Sequence, residues 1–217
     1  FGETMVKLAK KDGRIVAVTA AMEYGTGLAE FGKIFPKRFF DVGIAEQHGV
    51  IFAAGLSLEG LKPVVAIYST FIQRGYDHLI HDVCMQELPV IFAMDRAGIV
   101  GEDGPTHHGV FDMAFTRSIP NLVIMAPANE DELCDMLFTA IQSGKPCAIR
   151  YPRSQGTGVA IKNEPMRMPW GKGQLLRTGQ DLGLIAIGSM VDPAIVAAEA
   201  LASKGISASG VNGRFVE

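Results

Sequence analysis

The sequence predicts an α/β fold in which a parallel sheet is flanked by helices and is followed by a partial second α/β unit. Short apolar runs rich in β-branched residues alternate along the chain with segments of helical periodicity, as in parallel sheets covered by helices. The runs are continuously apolar, which is typical of strands buried on both faces. With 48% apolar residues in a chain of 217, the protein can also bury a large core.

The predicted elements follow one another as strand, helix, strand, helix, strand, loop, strand, helix, strand. The strands are predicted at residues 14–20, 62–68, 89–95, 122–126 and 146–151. The helices are predicted at residues 46–58, 69–85 and 129–142. Asn129 is a favourable N-cap for the last helix, since acidic residues fill the turn that follows it.

The chain is predicted to hold one complete domain and part of another. The first domain covers residues 1–158, and a connector with Lys, Pro, Gly and little periodicity covers residues 159–180. Residues 181–217 open a second α/β unit with a strand, a helix closed by Gly205 and a further strand. Because the chain starts at Phe1 and stops within a predicted strand, we expect it to be a piece of a longer protein.

Composition argues against several functional classes. The formal charge of −3 gives no basic character for binding nucleic acid or an anionic membrane surface. No apolar run approaches the roughly 20 residues of a membrane span, and no signal peptide opens the chain. The three cysteines are too scattered for a disulfide framework and form no zinc-binding pair, so a reducing compartment is expected.

The segment DVGIAEQHGV, residues 41–50, places Glu46 in the first turn of an apolar helix. Gly43 allows the tight turn that precedes this helix. The position favours a structural role, in which an acidic side chain stabilises the helix N-terminus. The alternative is a buried carboxylate directed at a ligand, and the spacing leaves both open.

The loop DRAGIVGEDGPTHHGVFD, residues 95–112, leaves the carboxyl end of a predicted parallel strand, where α/β proteins bind ligands. It combines four glycines, an arginine, several acidic residues and the adjacent His107 and His108. Loops of this length within a compact domain are usually functional. The two histidines could also be partly exposed loop residues with no role in chemistry.

Four arginines stand near the ends of predicted elements: Arg74, Arg96, Arg150 and Arg153. A single arginine is normally solvated. Three of these four lie just past the carboxyl ends of predicted strands, on one edge of the sheet. Guanidinium groups that converge there could bind phosphate or carboxylate through two hydrogen bonds each.

No metal site is predicted in the chain. His78, His81 and Cys84 recur at three-residue steps, but a wet helix face with the cysteine turned inward explains them more simply. The EDG segment at residues 102–104, taken with Asn129, loosely resembles a magnesium-binding pattern. Glu102 replaces the first glycine of that pattern, and Asn129 is better explained as a helix N-cap.

Four segments, taken in order, resemble the pyrimidine-binding domain of thiamine-diphosphate enzymes of the transketolase family: DVGIAEQH, KPVVAIYSTFIQRGYDHLIHDV, DRAGIVGEDGPTHHGVFD and RYPR. The resemblance covers essentially the whole chain, and the tail from about residue 181 is similar to the start of the family's C-terminal domain. IAEQH and GEDGPTHH approximately resemble the corresponding motifs of transketolases and pyruvate dehydrogenase β-subunits. YSTFIQR and DRAGIVG resemble the branch of synthases that make 1-deoxy-D-xylulose 5-phosphate.

The resemblance implies a role for each candidate site residue. Glu46 would hydrogen-bond the aminopyrimidine of the cofactor and favour the tautomer that removes the thiazolium proton. Phe71 would stack on the pyrimidine, or else belong simply to the core. His107 would move protons or hold substrate oxygens. The substrate pocket would be lined by Tyr68, Arg74, Arg96, Asp103, His107 and Arg153, with the arginines suited to a phosphate.

The implied reaction condenses pyruvate with D-glyceraldehyde 3-phosphate to 1-deoxy-D-xylulose 5-phosphate and CO2, the first step of the non-mevalonate isoprenoid route and a precursor supply for thiamine and pyridoxal. The implied cofactors are thiamine diphosphate and Mg²⁺, with the metal ligands in a preceding domain. A homodimer is implied, located in a bacterial cytoplasm or, in a plant, the plastid stroma. With half the site elsewhere, we expect this chain alone to be a poor catalyst.

Two other hypotheses keep the fold and change the function. The chain could be a separately encoded half of a transketolase-type or dehydrogenase-type enzyme, although its start at Phe1 argues against a separate gene. It could also be a non-catalytic relative that acts as an interaction module. The presence of Glu46, His107 and Arg153 argues against that hypothesis.

Overall fold

The computed structural model describes residues 1–216 and contains two sheets. The strands are β1 (Ile15–Thr19), β2 (Phe39–Asp41), β3 (Lys62–Tyr68), β4 (Ile91–Asp95), β5 (Val123–Met125), β6 (Cys147–Arg150), β7 (Gln174–Arg177), β8 (Leu182–Ala186), β9 (Ala208–Asn212) and β10 (Phe215–Val216). The larger sheet has the order β10-β5-β6-β4-β3-β1-β2, parallel except for β10. In the smaller sheet, β9 lies between antiparallel β7 and parallel β8.

Helices cover both faces of the larger sheet. The α-helices are α1 (Gly2–Lys11), α2 (Ala29–Ile34), α3 (Glu46–Leu58), α4 (Tyr76–His78), α5 (Asp112–Thr116), α6 (Glu130–Ser143) and α7 (Val191–Ala202). A 3₁₀ turn, Ile72–Gly75, precedes α4, and a π-helical segment, Leu79–Cys84, follows it. Among the described residues, no helix is long and apolar enough to cross a membrane.

The central strands are buried on both faces, which confirms the α/β class predicted from their unbroken apolar runs. In β3, Val64 and Ala66 pack on one side with α1, α2 and α6. Val65 and Ile67 pack on the other side with α3 and the π-helical segment. The core therefore consists of two apolar layers separated by the sheet.

The five strands and two of the three helices predicted for the first domain agree closely with the structure. β3 and α3 have the predicted bounds, and the Asn129 side chain accepts a hydrogen bond from the Glu132 N–H at 2.9 Å, which confirms the N-cap. The helix predicted at 69–85 begins only at Ile72 and changes type along its length.

Five elements are absent from the sequence prediction: α1, α2, α5, β2 and β7. β2 has three residues and α2 has six, too few for a periodic signal. β7 is mostly exposed and has no continuous apolar run. It lies inside the predicted connector 159–180, so that segment contains a strand as well as irregular structure. The predicted final strand 206–217 divides into β9 and β10, and residue 217 lies outside the described part.

The tail returns to the larger sheet. β10 pairs antiparallel with β5 and thereby closes one edge of that sheet. Glu132, in the first turn of α6, accepts hydrogen bonds from Arg214 Nε at 2.7 Å and from Asn212 Nδ2 at 3.0 and 3.1 Å. These contacts join the two sequence regions within the fold. The division of the chain into domains at residues 158 and 181 stays a prediction.

Candidate active site

The candidate residues lie at the carboxyl edge of the larger sheet. Tyr68 ends β3, and Arg96 directly follows β4. Arg153 comes three residues after β6, and Glu46 opens the helix that follows β2. The carboxyl ends of parallel strands share one edge, which is the usual ligand-binding edge of such sheets.

Glu46 is the first residue of α3, and its carboxylate is almost fully buried, with 1% of the residue exposed. The preceding turn is held by Asp41, whose Oδ1 accepts hydrogen bonds from the Gly43 and Ala21 N–H groups at 2.9 and 2.8 Å. Gly43 has a φ of +72°, which favours glycine. The turn thus delivers Glu46 into the protein, away from solvent.

The two oxygens of the Glu46 carboxylate differ. Oε1 accepts a hydrogen bond from Arg74 Nη1 at 2.9 Å. Oε2 is buried and has no hydrogen-bond partner among the described residues. A buried carboxylate oxygen without a partner is costly, so a donor from outside the described residues, either water or a ligand, would be stabilising at this position.

Three aromatic rings form a cluster that is linked to this carboxylate through Arg74. Tyr68 and Phe71 stack, with ring centroids 5.5 Å apart. His107 meets the Phe71 ring edge-on at 5.1 Å and lies 6.2 Å from the Tyr68 ring. His107 Nδ1 shares a hydrogen bond with the Thr106 hydroxyl at 2.9 Å, so Nε2 is the ring atom left for a ligand.

Asp103 joins two of the candidate arginines. Its Oδ2 accepts a hydrogen bond from Arg96 Nε at 2.9 Å, and its Oδ1 accepts one from Arg153 Nη1. Arg96 also donates to the Gly25 carbonyl at 3.0 Å, and its guanidinium lies 3.7 Å from the centroid of the Tyr68 ring. The cationic pair is therefore fixed in place before any substrate is bound.

A closed loop carries Asp103 and His107. Gly98 and Gly109 exchange two backbone hydrogen bonds of 2.8 Å at its neck. Inside the loop, His108 Nδ1 accepts a hydrogen bond from the Val100 N–H at 3.2 Å. His108 thus has a structural role, whereas its neighbour faces the aromatic cluster.

Burial and charge shift the pKa values of two carboxyl groups in opposite directions. Burial raises the pKa of Asp95 to about 6, although the Arg96 charge and N–H bond oppose the rise. At Asp103 some loss of solvation opposes ionisation, but the hydrogen bonds and charges of Arg96 and Arg153 hold its pKa below the usual range. Burial also raises the pKa of the Tyr68 hydroxyl, against the charge of Arg96.

The structure joins all eight candidate residues through a continuous series of contacts: Glu46, Tyr68, Phe71, Arg74, Arg96, Asp103, His107 and Arg153. The fourth arginine, Arg150, lies outside the series and donates to Asp112 Oδ2 at 2.7 Å. Each of the four arginines already has a carboxylate partner, a feature that their positions in the sequence do not reveal.

Asp95 is a site residue that the sequence analysis did not single out. Its Oδ1 accepts a hydrogen bond from the Arg96 N–H at 2.6 Å, and its Oδ2 lies 3.5 Å from Arg96 Nη1. The available signal was its place at the end of a buried strand. Within residues 1–216, no group of three or more His, Cys, Asp and Glu side chains could hold a metal ion.

A mostly parallel sheet flanked by helices, with polar side chains gathered at its carboxyl edge, places the chain in the α/β class, whose members usually bind ligands at that edge. The family model "Transketolase, pyrimidine binding domain" matches residues 1–158, and the model "Transketolase, C-terminal domain" matches residues 171–217. The chain belongs to the transketolase family. The resemblance found in the sequence is thereby confirmed.

Curated relatives with high identity to this chain are 1-deoxy-D-xylulose-5-phosphate synthases. A 1-deoxy-D-xylulose-5-phosphate synthase from Syntrophus aciditrophicus is 59% identical over the whole chain, and one from Desulforudis audaxviator is 60% identical. The chain spans 33% and 34% of the length of these two relatives. It therefore corresponds to about a third of such a synthase.

Solved structures share the fold. A split-gene transketolase, described as an inactive β4 tetramer, matches with a TM-score of 0.85 and 31% identity, covering 97% of this chain and 68% of that one. A transketolase from Pichia stipitis in complex with sedoheptulose 7-phosphate has a TM-score of 0.80 and 20% identity, covering 97% of this chain and 33% of that one. The second likeness concerns the fold alone.

Proposed function

We propose that this chain forms the pyrimidine-side half of the active site of a thiamine-diphosphate-dependent synthase. The reaction condenses pyruvate with D-glyceraldehyde 3-phosphate to 1-deoxy-D-xylulose 5-phosphate and CO2. The observation that carries the proposal is the unpartnered, buried Oε2 of Glu46, whose other oxygen is bound by Arg74, a residue that also contacts Phe71 of the aromatic cluster. The names of relatives 59% and 60% identical to the chain support the choice of reaction.

The residues present fit the aminopyrimidine of thiamine diphosphate. A flat heteroaromatic ring with a protonated ring nitrogen needs one acceptor in its plane and an aromatic surface against its face. Glu46 Oε2 offers such an acceptor, and Phe71 offers the surface. When bound, the cofactor supplies a nucleophilic carbon that adds to the ketoacid and permits its decarboxylation.

The other residues of the site are suited to binding and orienting the substrates. Arg96 and Arg153 present positive charge beside Asp103, and the phosphate of D-glyceraldehyde 3-phosphate is a suitable anion for them. His107 can hold or move a proton at Nε2, toward the substrate oxygens. The Arg96 guanidinium lies over the Tyr68 ring, 3.7 Å from its centroid, and this contact helps to hold its orientation.

Further parts of the proposal rest on the family alone. The diphosphate and Mg²⁺ would be held by a segment of the polypeptide outside this chain, and two subunits would form a homodimer. The product would enter isoprenoid synthesis and supply thiamine and pyridoxal precursors. A cytoplasmic or plastid location also stays a prediction.

The experiment that tests the proposal is Glu46→Gln in the full-length protein that carries this chain. The variant keeps the side-chain volume but loses the charged acceptor, so we expect turnover to fall by roughly 10² or more, as for loss of a general acid–base group. The measurement is CO2 release from pyruvate with D-glyceraldehyde 3-phosphate, thiamine diphosphate and Mg²⁺. The control is Glu59→Gln, an exposed change at the far end of the same helix.

Retention of a rate above about a tenth of the original would overturn the role of Glu46, since a proton-transfer group contributes far more than tenfold. Absence of CO2 release from the unsubstituted protein would overturn the reaction itself. A second candidate function is that of a separately encoded half of a transketolase-type enzyme. It is supported by the split-gene transketolase chain, which shares the fold over 97% of this one. An intact mass matching a separate short polypeptide would favour that candidate.

A further inference from the structure

Arg74 is the one member of the candidate site that contacts both of the side chains proposed to bind the cofactor, Glu46 and Phe71. Its Nη1 donates to Glu46 Oε1 at 2.9 Å. Its guanidinium carbon lies 5.4 Å from the centroid of the Phe71 ring, within the range of a cation–π contact. The carboxylate and the ring are therefore tied together through one side chain.

The backbone brings Arg74 to this position by a close approach of two elements. Arg74 lies in the 3₁₀ turn Ile72–Gly75, and its N–H donates to the Phe71 carbonyl at 3.1 Å. Gly75 is buried, and a Cβ there would lie 3.0 Å from the Val50 side chain and 3.7 Å from the Glu46 carbonyl. The missing side chain at Gly75 thus lets the turn pack directly onto the start of α3.

Arg74 does not take part in the other arginine group. Arg96 and Arg153 converge on Asp103, whereas in the described part of the chain the only ion-pair partner of Arg74 is Glu46. Among the described residues, no hydrogen bond or ion pair joins Arg74 to the Arg96–Asp103–Arg153 group. The contacts of Arg74 are with Glu46 and Phe71, whereas Arg96 and Arg153 both contact Asp103.

We infer that Arg74 is a positioning residue, which fixes the Glu46 carboxylate relative to Phe71 and leaves Oε2 as its only free acceptor. The inference rests on the proposed function and reassigns Arg74 from the substrate phosphate, where the resemblance places it. By binding Oε1, Arg74 orients the carboxylate, and Oε2, which has no partner among the described residues, would then be the oxygen that accepts from the aminopyrimidine. A single fixed acceptor oxygen in the plane of the ring is the preorganisation that proton transfer requires.

The test replaces Arg74, Arg153 and, as a control, Arg117 with methionine, each in the full-length protein. Methionine keeps an apolar stem but removes every donor. Arg117 is exposed, follows α5 and has no ion-pair partner within residues 1–216. The readouts are the dissociation constant of thiamine diphosphate by calorimetry, the rate of deuterium exchange at its thiazolium carbon without substrates, and the KM for D-glyceraldehyde 3-phosphate.

We expect Arg74→Met to slow the deuterium exchange by about tenfold or more and to weaken cofactor binding, because a charge-assisted hydrogen bond is lost. Its KM for the phosphorylated aldehyde should stay close to that of the unsubstituted protein. Arg153→Met should show the reverse pattern, and Arg117→Met should change neither. Arg74→Lys should restore part of the exchange rate, since lysine can donate to Oε1 but has no planar group to stack on Phe71.

Two outcomes would overturn the inference. One is normal deuterium exchange in Arg74→Met with a raised KM, which would return Arg74 to the substrate phosphate and leave the proposed function standing. The other is a failure of the unsubstituted protein to bind thiamine diphosphate, which would remove the proposed function as well. If Arg74→Met unfolds, as thermal denaturation would reveal, the same comparison is made with Arg74→Lys.

Discussion

Burial disfavours the ionised form of the Asp95 carboxyl group, whereas the neighbouring Arg96 favours it. It ends β4, and the guanidinium and backbone N–H of Arg96 are its principal partners. Its pKa of about 6 lies above the ordinary value of 3.8 because burial outweighs those partners. A native carboxyl group with a raised pKa binds a proton that the unfolded chain releases at lower pH.

Replacing Asp95 with asparagine should therefore alter how stability depends on pH. In the native protein this group contributes a free energy of unfolding that decreases as the pH rises from about 4 through about 6. Asp95→Asn removes that decrease while keeping an acceptor for the Arg96 N–H. We expect the stability of the variant relative to the original protein to improve by about 1–3 kcal/mol between pH 4 and pH 7.

The measurement is urea denaturation of both proteins across that pH range. Asp192→Asn, an exposed change at the start of α7, is the control. Equal pH slopes for the original protein and Asp95→Asn would contradict the raised pKa of Asp95.

The family resemblance, and not the residue patterns alone, implied the set of candidate side chains that the structure joins through contacts, and their roles stay predictions. Glu46, His107 and Arg153 are connected through contacts in the structure, as their motifs indicate. Their partners could not be predicted, because the pairing of Asp103 with two arginines depends on the conformation of a loop. The burial of Asp95 is equally invisible in a sequence, since it depends on what packs around the end of the strand.

Two glycines, one in the helix α3 and one at the neck of the 95–112 loop, have opposite effects on stability. Gly55 is exposed in the middle of α3, and a Cβ there would meet no atom within 4 Å. Gly109 closes the neck of the 95–112 loop, and a Cβ there would lie 2.3 Å from Ser69 Oγ and 2.5 Å from the Arg96 carbonyl. The first glycine weakens its helix, and the second permits a contact between backbones.

The two alanine variants should therefore shift stability in opposite directions. Gly55→Ala should raise the free energy of unfolding by about 0.5–1 kcal/mol, since glycine loses more conformational entropy in a helix. Gly109→Ala should lower it by about 1–3 kcal/mol, because the backbone at Arg96 must move. Thermal or urea denaturation of the two variants measures this. A stabilised Gly109→Ala would show that the loop neck is not tightly packed.

Most elements with a continuous apolar run or a clear helical pattern were predictable, whereas α1, with ten residues and a buried face, was missed together with the short β2 and the exposed β7. β3 and α3 stand out because their apolar residues lie in continuous or helical patterns. β2 and β7 form through pairing with β1 and β9, respectively, so the neighbouring strand determines them more than their own residues do.

At the scale of the whole molecule, Glu132 joins the tail to the larger sheet. Its carboxylate is largely buried and accepts from Arg214, Asn212 and the Ala128 N–H. Arg214 has a φ of +60°, a conformation that is uncommon for a residue with a side chain. The contacts of Glu132 therefore hold a strained turn just before β10.

Removing this carboxylate should loosen the tail before it affects the rest of the fold. Glu132→Ala removes the ion-pair partner of the part-buried Arg214 and leaves its guanidinium only the Gln174 side-chain oxygen as an acceptor, which we expect to cost about 1–3 kcal/mol. We expect amide hydrogen exchange in β9 and β10 to accelerate more than exchange in β3 and β4. The control, Glu199→Ala on the exposed face of α7, should change neither. Uniform acceleration in all four strands would show that the tail and the sheet unfold together.

The pairing of β10 with β5 has a further consequence for behaviour at high concentration. Phe215 and Val216 cover the backbone groups of Met125 and Ile124, which are buried in an apolar strand. An uncovered strand of this kind is a template on which another chain can add. We therefore expect β10 to protect the β5 edge from pairing with other chains. Proteolytic cleavage near Gly213 should expose that edge and promote aggregation, even if the candidate site stayed intact.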